Sequence, residues 1–169
     1  MEITPGVRAQ VEQLLGRAPR GLEAVAVAHP DGRPLVIRVA SMVDGKPFPT
    51  LFWLVDPQLS YRIDGEEAGG LIARLQQQVD GDLDLQAGMQ ADHRAHIALR
   101  AKYLSPTVAR QVDAGGFAQV LATRGIGGIA DFTRIRCLHT WYAAHLVVPN
   151  TIGTLLDEHW RASPHPGQA

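Results

Sequence analysis

The chain has 169 residues, enough for one compact domain with a buried core, and its 46% hydrophobic and 20% charged residues are typical of a soluble globular protein. Its formal net charge of −1 provides no overall positive field to hold a nucleic acid, and no apolar run approaches the roughly 18 residues of a membrane span. The single cysteine excludes an internal disulfide, and the first ten residues lack the basic start and apolar run of a signal peptide. We therefore expect a cytoplasmic protein without nucleic-acid or membrane partners.

The first third of the chain predicts one helix followed by a three-stranded antiparallel meander. Thr4 caps a helix that begins at Pro5 and ends before Gly16. Three runs rich in strand-forming residues follow at 22–28, 35–43 and 50–55, separated by HPDGRP and DGKPFP. Asp-Gly pairs beside proline are typical of tight turns. These strands are more apolar than a half-exposed sheet requires, so we expect cover on both faces.

Helical patterns dominate from Asp56 onward. Gly69-Gly70 breaks the first helix, a longer helix covers about 85–104, and a last helix covers 151–160. The segment FAQVLAT fits a strand or a helix, and Asp131 can cap a helix that follows the GIGG loop at 125–128. The sequence predicts a single α+β domain over residues 1–161, with about three strands and five to six helices. We expect a disordered tail at 162–169.

The predicted helix at 85–104 carries ionisable residues on its apolar face. His93, His96 and Arg100 fall in the middle of an arc that is otherwise apolar. Buried ionisable groups need partners, because desolvating them unpaired costs several kcal/mol. Two interpretations stay open. Internal carboxylates or carbonyls satisfy these groups, or the groups line a ligand pocket in which His93 and His96 share one ligand.

The GIGG loop lies between Arg124 and a predicted helix start that carries Arg136. Glycines let backbone N–H groups approach a ligand closely, and a helix N-terminus favours anions. The spacing matches neither a dinucleotide fingerprint nor a phosphate loop. The loop is therefore either a tight structural turn or an anion site flanked by Arg124 and Arg136.

The segment RIRCLHTWYAAHL holds Cys137, His139 and His145. In one unbroken helix over 132–148, the first two would point about 160° apart and His145 would lie about 12 Å along the axis from Cys137. No metal ion could then bind all three. A helix that begins near Leu138 would leave Cys137 and His139 on one side of an extended segment, with a more reactive thiol at the helix start. A buried, inert cysteine is the alternative.

FPTLFWL, GIGGIADF and RCLHTWYAAHL…NTIG resemble the bacterial family catalogued as domain of unknown function 501, over roughly residues 22–158. The resemblance implies no established activity. Many relatives carry Cys-Pro-Cys-Gly, or something close, where this chain has His29-Pro30-Asp31-Gly32. Since cysteine, histidine and aspartate all bind zinc, the resemblance implies one divalent metal site, zinc favoured, in which His29 and Asp31 join Cys137 and His139. Turn formation is the structural explanation for Asp31.

Two classes of function fit these observations. In the first, a pocket between the meander and two helices binds a divalent metal or a small anion, and supports hydrolysis through metal-activated water or through the thiol with a histidine base. The candidate catalytic residues are Cys137 and His139, and the candidate ligand-binding residues are His93, His96, Arg100, Arg124, Arg136 and His145. In the second, the histidines are structural in a non-catalytic interaction or regulatory protein. Its assembly surface would use Trp53, Trp141 or Trp160. A homo-oligomer or a protein partner stays open in both.

Overall fold

The computed structural model describes residues 3–163, which form eight helices and two small antiparallel sheets. The predicted α+β architecture with a three-stranded meander is confirmed. The helices are α1 (Pro5–Leu15), α2 (Pro57–Ala68), α3 (Leu71–Asp80), α4 (Leu83–Lys102), α5 (Pro106–Ala114), α6 (Ala118–Thr123), α7 (Leu138–Val147) and α8 (Thr151–Ala162). The strands are β1 (Leu22–Ala28), β2 (Pro34–Val39), β3 (Met42–Val43), β4 (Lys46–Pro47) and β5 (Phe52–Leu54).

Helices α5 and α6 raise the number of helices above the five to six expected for the chain. The helix expected over about 85–104 ends at Lys102, and Pro106 begins α5, because Ser105 caps the new helix by accepting the N–H of Val108 at 3.2 Å. The ambiguous FAQVLAT segment forms α6. The two short helices follow the long α4 one after the other.

The three-stranded sheet has the order β1-β2-β5, and both pairings are antiparallel. Val25 lies opposite Ile37, which in turn lies opposite Trp53. The predicted second strand over 35–43 is divided, because β3 leaves it to pair with β4. Asp44 and Gly45 connect β3 and β4 with φ angles of 51° and 74°, the backbone of a two-residue hairpin turn.

Both faces of the three-stranded sheet are covered, as its apolar strands predict. Val36 and Ile37 are successive residues of β2 and point to opposite faces. Ile37 packs in a smaller core with Val11 of α1, whereas Val36 joins the main core. That main core includes buried side chains of α2, α3, α4, α7 and α8. The sheet is therefore sandwiched between α1 on one face and the core built with α2, α3, α4, α7 and α8 on the other.

The segment before α7 departs from the sequence prediction in a way that shapes the site. Asp131 does not cap a helix. Its Oδ1 atom accepts the backbone N–H and the hydroxyl of Thr133, at 3.0 and 2.9 Å, and forms a tight turn. The side-chain amide of Gln76 in α3 then binds the carbonyl of Thr133 and the N–H of Ile135, both at 2.9 Å. Because these backbone groups pair with α3, the helix begins only at Leu138.

No helix among residues 3–163 is long and apolar enough to cross a membrane. The last helix extends to Ala162, slightly beyond its predicted end. Residues 164–169, which make up most of the predicted disordered tail, lie outside the described residues.

Candidate metal centre

One face of α2 presents three oxygen-bearing residues to the start of α7. Asp56 caps α2 by accepting the N–H of Leu59 at 2.7 Å, and Pro57 occupies its first turn. Ser60, Asp64 and Glu67 are spaced four and three residues apart, so they share one face of this helix. That face lies against His139.

Cys137 is the last extended residue before α7, with φ −152° and ψ 119°. This backbone confirms the geometry in which the helix begins near Leu138 and not the continuous helix over 132–148. The thiol of Cys137 does not cap α7. A carboxylate oxygen of Glu67 does so instead, by accepting the N–H of Leu138 at 2.6 Å. The thiol is therefore left available for other chemistry.

Both imidazole nitrogens of His139 contact groups that can accept a hydrogen bond. The Nδ1 atom lies 3.7 Å from Cys137 Sγ and 3.3 Å from Glu67 Oε1. The Nε2 atom lies 3.2 Å from Asp64 Oδ1 and 3.3 Å from the carbonyl oxygen of Ser60. We refer to Glu67, Cys137 and His139 as the Cys137 cluster.

Mutual contact shifts the pKa values of the thiol and the imidazole towards their charged forms. The hydrogen bond to Cys137 is the largest influence on His139 and, with the charges of Cys137 and Glu67, it raises the pKa of that imidazole to about 9 against the opposing effect of burial. Burial is the largest influence on Cys137 and favours the neutral thiol. The interactions with the imidazole of His139 and the nearby backbone of Thr140 outweigh it, so the pKa of the thiol is lowered. Deprotonated thiol is the form that binds metals.

The two separations that His139 Nδ1 makes with the other ligand atoms fit one small tetrahedral ion. With zinc bond lengths of about 2.3 Å to sulfur and about 2.0–2.2 Å to nitrogen or oxygen, neighbouring ligand atoms lie roughly 3.3–3.6 Å apart. The observed separations are 3.7 Å from sulfur to nitrogen and 3.3 Å from nitrogen to oxygen, and all three ligand atoms lie within 4.8 Å of one another. Among residues 3–163, the Cys137 cluster is where three histidine, cysteine, aspartate or glutamate side chains come close enough together to hold a metal ion.

An ion could enter this cluster from solvent. The side chains of His139 and Glu67 are 24% and 26% exposed, and Cys137 is half-buried. A groove of about 290 Å³ adjoins His139, and its wall includes Thr140 together with Phe48, Thr50, Phe52 and Trp53. The cluster is thus neither sealed in the core nor spread over a flat surface.

A protein-family profile described as "Protein of unknown function (DUF501)" matches residues 25–158. The chain belongs to this family. The matched stretch contains all three residues of the Cys137 cluster. No curated protein and no solved structure matches the chain.

The HPDG turn of this family member is not brought into the Cys137 cluster. His29 Nε2 lies 2.9 Å from Asp56 Oδ2, at the beginning of α2, whereas Glu67 lies near the end of that helix. Eleven residues of helix separate the two carboxylates by roughly 16 Å. Asp31 accepts the N–H of Arg33 at 3.0 Å and so stabilises its own turn.

His93 and His96 are buried in α4, as the apolar arc predicts. Neither side chain belongs to the Cys137 cluster. His93 Nδ1 accepts the N–H of Ile126 at 3.0 Å, and the ring stacks on Phe132 with a centroid separation of 4.5 Å. Burial is the largest influence on both imidazoles, and it lowers their pKa values to about 4 for His93 and about 3 for His96. Both are neutral at pH 7.

The guanidinium of Arg100 is held by backbone carbonyls. It donates to the carbonyl oxygens of Pro49 at 2.7 Å, of Leu121 at 2.5 Å and of Arg124. Arg100 therefore anchors the loop before β5 and the end of α6 to α4. Burial lowers the pKa of Arg100 to about 10, so the group stays charged at neutral pH.

The glycine loop packs closely against neighbouring side chains. A Cβ atom on Gly125 would lie 2.1 Å from His93 Nδ1, and one on Gly127 would lie 2.6 Å from Thr140 Oγ1. Gly127 also has a φ of 65°, which disfavours other residues. These contacts favour the tight structural turn. The side chains of Arg124 and Arg136 are exposed beside it, and the charge of Arg136 acts on Asp131.

The imidazole of His145, in α7, is hydrogen-bonded to the start and the middle of α8. Its Nδ1 atom accepts the N–H of Asn150 at 3.0 Å, and its Nε2 atom lies 3.1 Å from Asp157 Oδ2. Tyr142 donates to the other oxygen of Asp157 at 2.7 Å. Both imidazole nitrogens are thus used in joining α7 to α8, eight residues from Cys137.

Two of the tryptophans assigned to an assembly surface are in the core. Trp141 is fully buried beside His93, and Trp160 is buried with its indole N–H donated to Glu66 at 2.8 Å. Their large apolar rings fill the space between helices. Trp53 is half-buried against Phe48.

Sequence reasoning missed Glu67 and Asp64. Both lie in IDGEEAGG, at the end of the predicted helix after Asp56. Their spacing of three residues indicates one helix face, but nothing in the sequence shows that this face meets residue 139.

Proposed function

We propose that this protein binds one divalent metal ion, zinc preferred, through Cys137, His139 and Glu67. The observation that carries the proposal is the convergence of a thiol, an imidazole nitrogen and a carboxylate within 4.8 Å of one another, with the nitrogen 3.7 Å from the sulfur and 3.3 Å from the carboxylate oxygen. A thiolate, a neutral imidazole and a carboxylate together suit a borderline-soft ion better than magnesium or calcium.

The surroundings of His139 support its role as a ligand. When Nδ1 binds a metal, the proton stays on Nε2, which faces Asp64 Oδ1 and the Ser60 carbonyl. A carboxylate or carbonyl behind a metal-bound histidine fixes the ring orientation and raises its basicity. The contacts of Nε2 with Asp64 and Ser60 therefore leave Nδ1 as the ligand atom.

Three protein ligands leave a fourth position of a tetrahedral ion for water or a small anion. Zinc lowers the pKa of a bound water to near 7, and this supplies a nucleophile for hydrolysis. The groove beside His139, with Phe48 and Trp53 in its wall, would hold the apolar part of a substrate. We therefore propose metal-assisted hydrolysis as the reaction class.

Elemental analysis of the full chain without a histidine tag tests this proposal. We expect close to one equivalent of zinc or a similar ion per chain. Cys137→Ser and His139→Gln should each lose the ion and retain the circular dichroism spectrum of the parent. His29→Gln is a matched control, since His29 also contacts a carboxylate but lies outside the cluster. Metal-free protein that takes up no ion when zinc is added would contradict the proposal.

A metal-free thiol nucleophile is the second candidate. Cys137 precedes the first turn of α7 and lies 3.7 Å from an imidazole nitrogen, which is the geometry of an activated cysteine. Because the chain has one cysteine, alkylation by iodoacetamide reports on this thiol alone. The thiol candidate predicts fast alkylation at pH 6.5 that slows in His139→Gln. The metal proposal predicts that zinc protects the thiol and that chelation exposes it.

A further inference from the structure

A second concave site lies along α4, on a different set of residues from the Cys137 cluster. It is a cleft of about 360 Å³, within the size range of small-molecule pockets. Most of its wall is apolar and comes from α4, β5, the glycine loop, α7 and the α7–α8 connection. The main contributors are Phe52, Ala95, Leu99, Ile126, Ala144 and Val148. We refer to it as the His96 cleft.

His96 is the buried polar residue lining this cleft that has no hydrogen-bond partner among residues 3–163. Its side chain lines the cleft, yet the residue is only 6% exposed, and its Nε2 atom is buried without a hydrogen bond. Across residues 3–163, neither ring nitrogen of His96 forms a hydrogen bond. The neighbouring ring of Phe52 meets the imidazole edge-on at 5.8 Å. Buried polar groups are nearly always paired, so an orphaned imidazole beside an open cleft indicates a missing ligand group.

The charge behind His96 is positive. Arg100 lies one helical turn further along α4, is 1% exposed and binds only carbonyl oxygens. No carboxylate among the described residues forms an ion pair with its guanidinium, and its charge acts on His96. A buried cation without a counter-ion favours an anion nearby, because the field is weakly screened there.

The charged residues at the two ends of the cleft differ in availability. Asp92 is engaged, since its carboxylate accepts the N–H of Thr151 at 2.8 Å and caps the start of α8. Lys102 is exposed at the other end and has no ion-pair partner within residues 3–163. The cleft therefore offers a ligand the imidazole of His96, the ammonium of Lys102 and apolar walls, and the charge of Arg100 acts on His96 from outside the cleft.

We propose that the His96 cleft binds a small apolar monocarboxylate. Its carboxylate accepts the imidazole N–H of His96 in the field of Arg100, and its hydrocarbon body lies against Phe52 and Leu99. This site does not depend on the proposed metal centre.

Binding of octanoate to the full chain, measured by calorimetry and by the imidazole signals of His96 in NMR spectra, tests this inference. Octan-1-ol has the same chain length without the charge, and we expect octanoate to bind roughly tenfold tighter or more. His96→Phe should weaken octanoate binding by a similar factor. Ala95→Leu should block the cleft from its exposed rim without disturbing the core, whereas Ala91→Leu, elsewhere on α4, is the matched control and should bind normally.

Cys137→Ser separates this inference from the metal proposal. Loss of octanoate binding in that variant would mean that the carboxylate binds an ion at the Cys137 cluster, and would overturn the His96 assignment. Equal affinity for octanoate and octan-1-ol, with no effect of His96→Phe, would also overturn it. So would the lack of any saturable binding at millimolar octanoate, or a concentration-dependent dimer that buries Val148 and excludes ligand. Retained binding in Cys137→Ser together with loss in Ala95→Leu supports the inference.

Discussion

Glu67 caps α7 by accepting the backbone N–H of Leu138 at 2.6 Å, from 71 positions earlier in the chain. The same oxygen lies 3.3 Å from His139 Nδ1. One carboxylate thus holds the start of the helix and faces the imidazole of His139 in the Cys137 cluster. Leu138 is the first residue of α7, so its N–H has no carbonyl partner within the helix, and Glu67 supplies that partner from α2.

This double role predicts that two substitutions of Glu67 differ. Glu67→Gln keeps an oxygen that can accept the N–H of Leu138 but loses the charge, so we expect near-normal stability with weakened metal binding. Glu67→Ala loses both, and its free energy of unfolding in the presence of a chelator should fall by about 1 kcal/mol. Urea unfolding and zinc titration measure the two effects. Equal stability of both variants in chelator would show that the cap contributes nothing.

Asp64 should influence metal affinity without influencing stability. Its side chain is 66% exposed, so its loss removes little packing, but its carboxylate faces His139 Nε2 at 3.2 Å. We expect Asp64→Ala to weaken zinc binding roughly tenfold, as loss of an outer partner of a metal-bound histidine typically does. Asp113→Ala, an exposed carboxylate on α5, is the control. Zinc affinity equal to that of the control would rule out the outer-partner role.

Acid should destabilise the protein through His93 and His96. Their pKa values of about 4 and about 3 lie below the ordinary value of 6.5, so the unfolded chain binds more protons than the folded one as pH falls below 6.5. The stability from their burial is complete above that pH and is lost progressively down to pH 4 and 3. For His96 alone, the free energy of unfolding should fall by about 2 kcal/mol between pH 7 and pH 5.

His96→Gln tests this pH dependence, because glutamine does not titrate. Urea unfolding between pH 7 and pH 5 should show a shallower loss of stability in the variant than in the parent chain. The pH dependence that remains comes from His93, from the opposing effect of the raised pKa of His139 and from the carboxyl groups. An unchanged slope would show that His96 does not become charged on unfolding in this range.

Arg100 is expected to act as a structural anchor whether or not the cleft binds a ligand. Arg100→Met would leave the carbonyls of Pro49, Leu121 and Arg124 without their donor, and we expect the free energy of unfolding to fall by about 3 kcal/mol or more. Arg94→Met, on the exposed side of α4, should change it by less than about 0.5 kcal/mol. Equal stability of the two variants in urea would contradict the anchoring role.

Local sequence signals predicted those elements that local interactions define. Thr4, Pro5 and Gly16 delimit α1 as expected, since Thr4 accepts the N–H of Val7 and Gly16 adopts a left-handed φ of 68°. The apolar arc likewise placed His93, His96 and Arg100 in the interior.

The candidate site depends on contacts between distant segments, which periodicity cannot reveal. Gln76 of α3 holds the extended stretch before Leu138 through a bond to Ile135, 59 residues away. Glu67 of α2 caps the start of α7. Without these two long-range bonds, the sequence is equally compatible with a helix that separates Cys137 from His139. The proposed single pocket therefore resolves into two sites: a partly exposed Cys137 cluster and an apolar cleft at His96.

Cobalt(II) titration of the metal-free chain tests the metal proposal most directly. Cobalt substitutes for zinc and reports its own ligands by absorption. We expect a saturable signal at one equivalent, with intense visible bands of a four-coordinate ion and a near-ultraviolet band from thiolate-to-cobalt charge transfer that disappears in Cys137→Ser. Bound cobalt without that charge-transfer band, or with the band unchanged in Cys137→Ser, would contradict it.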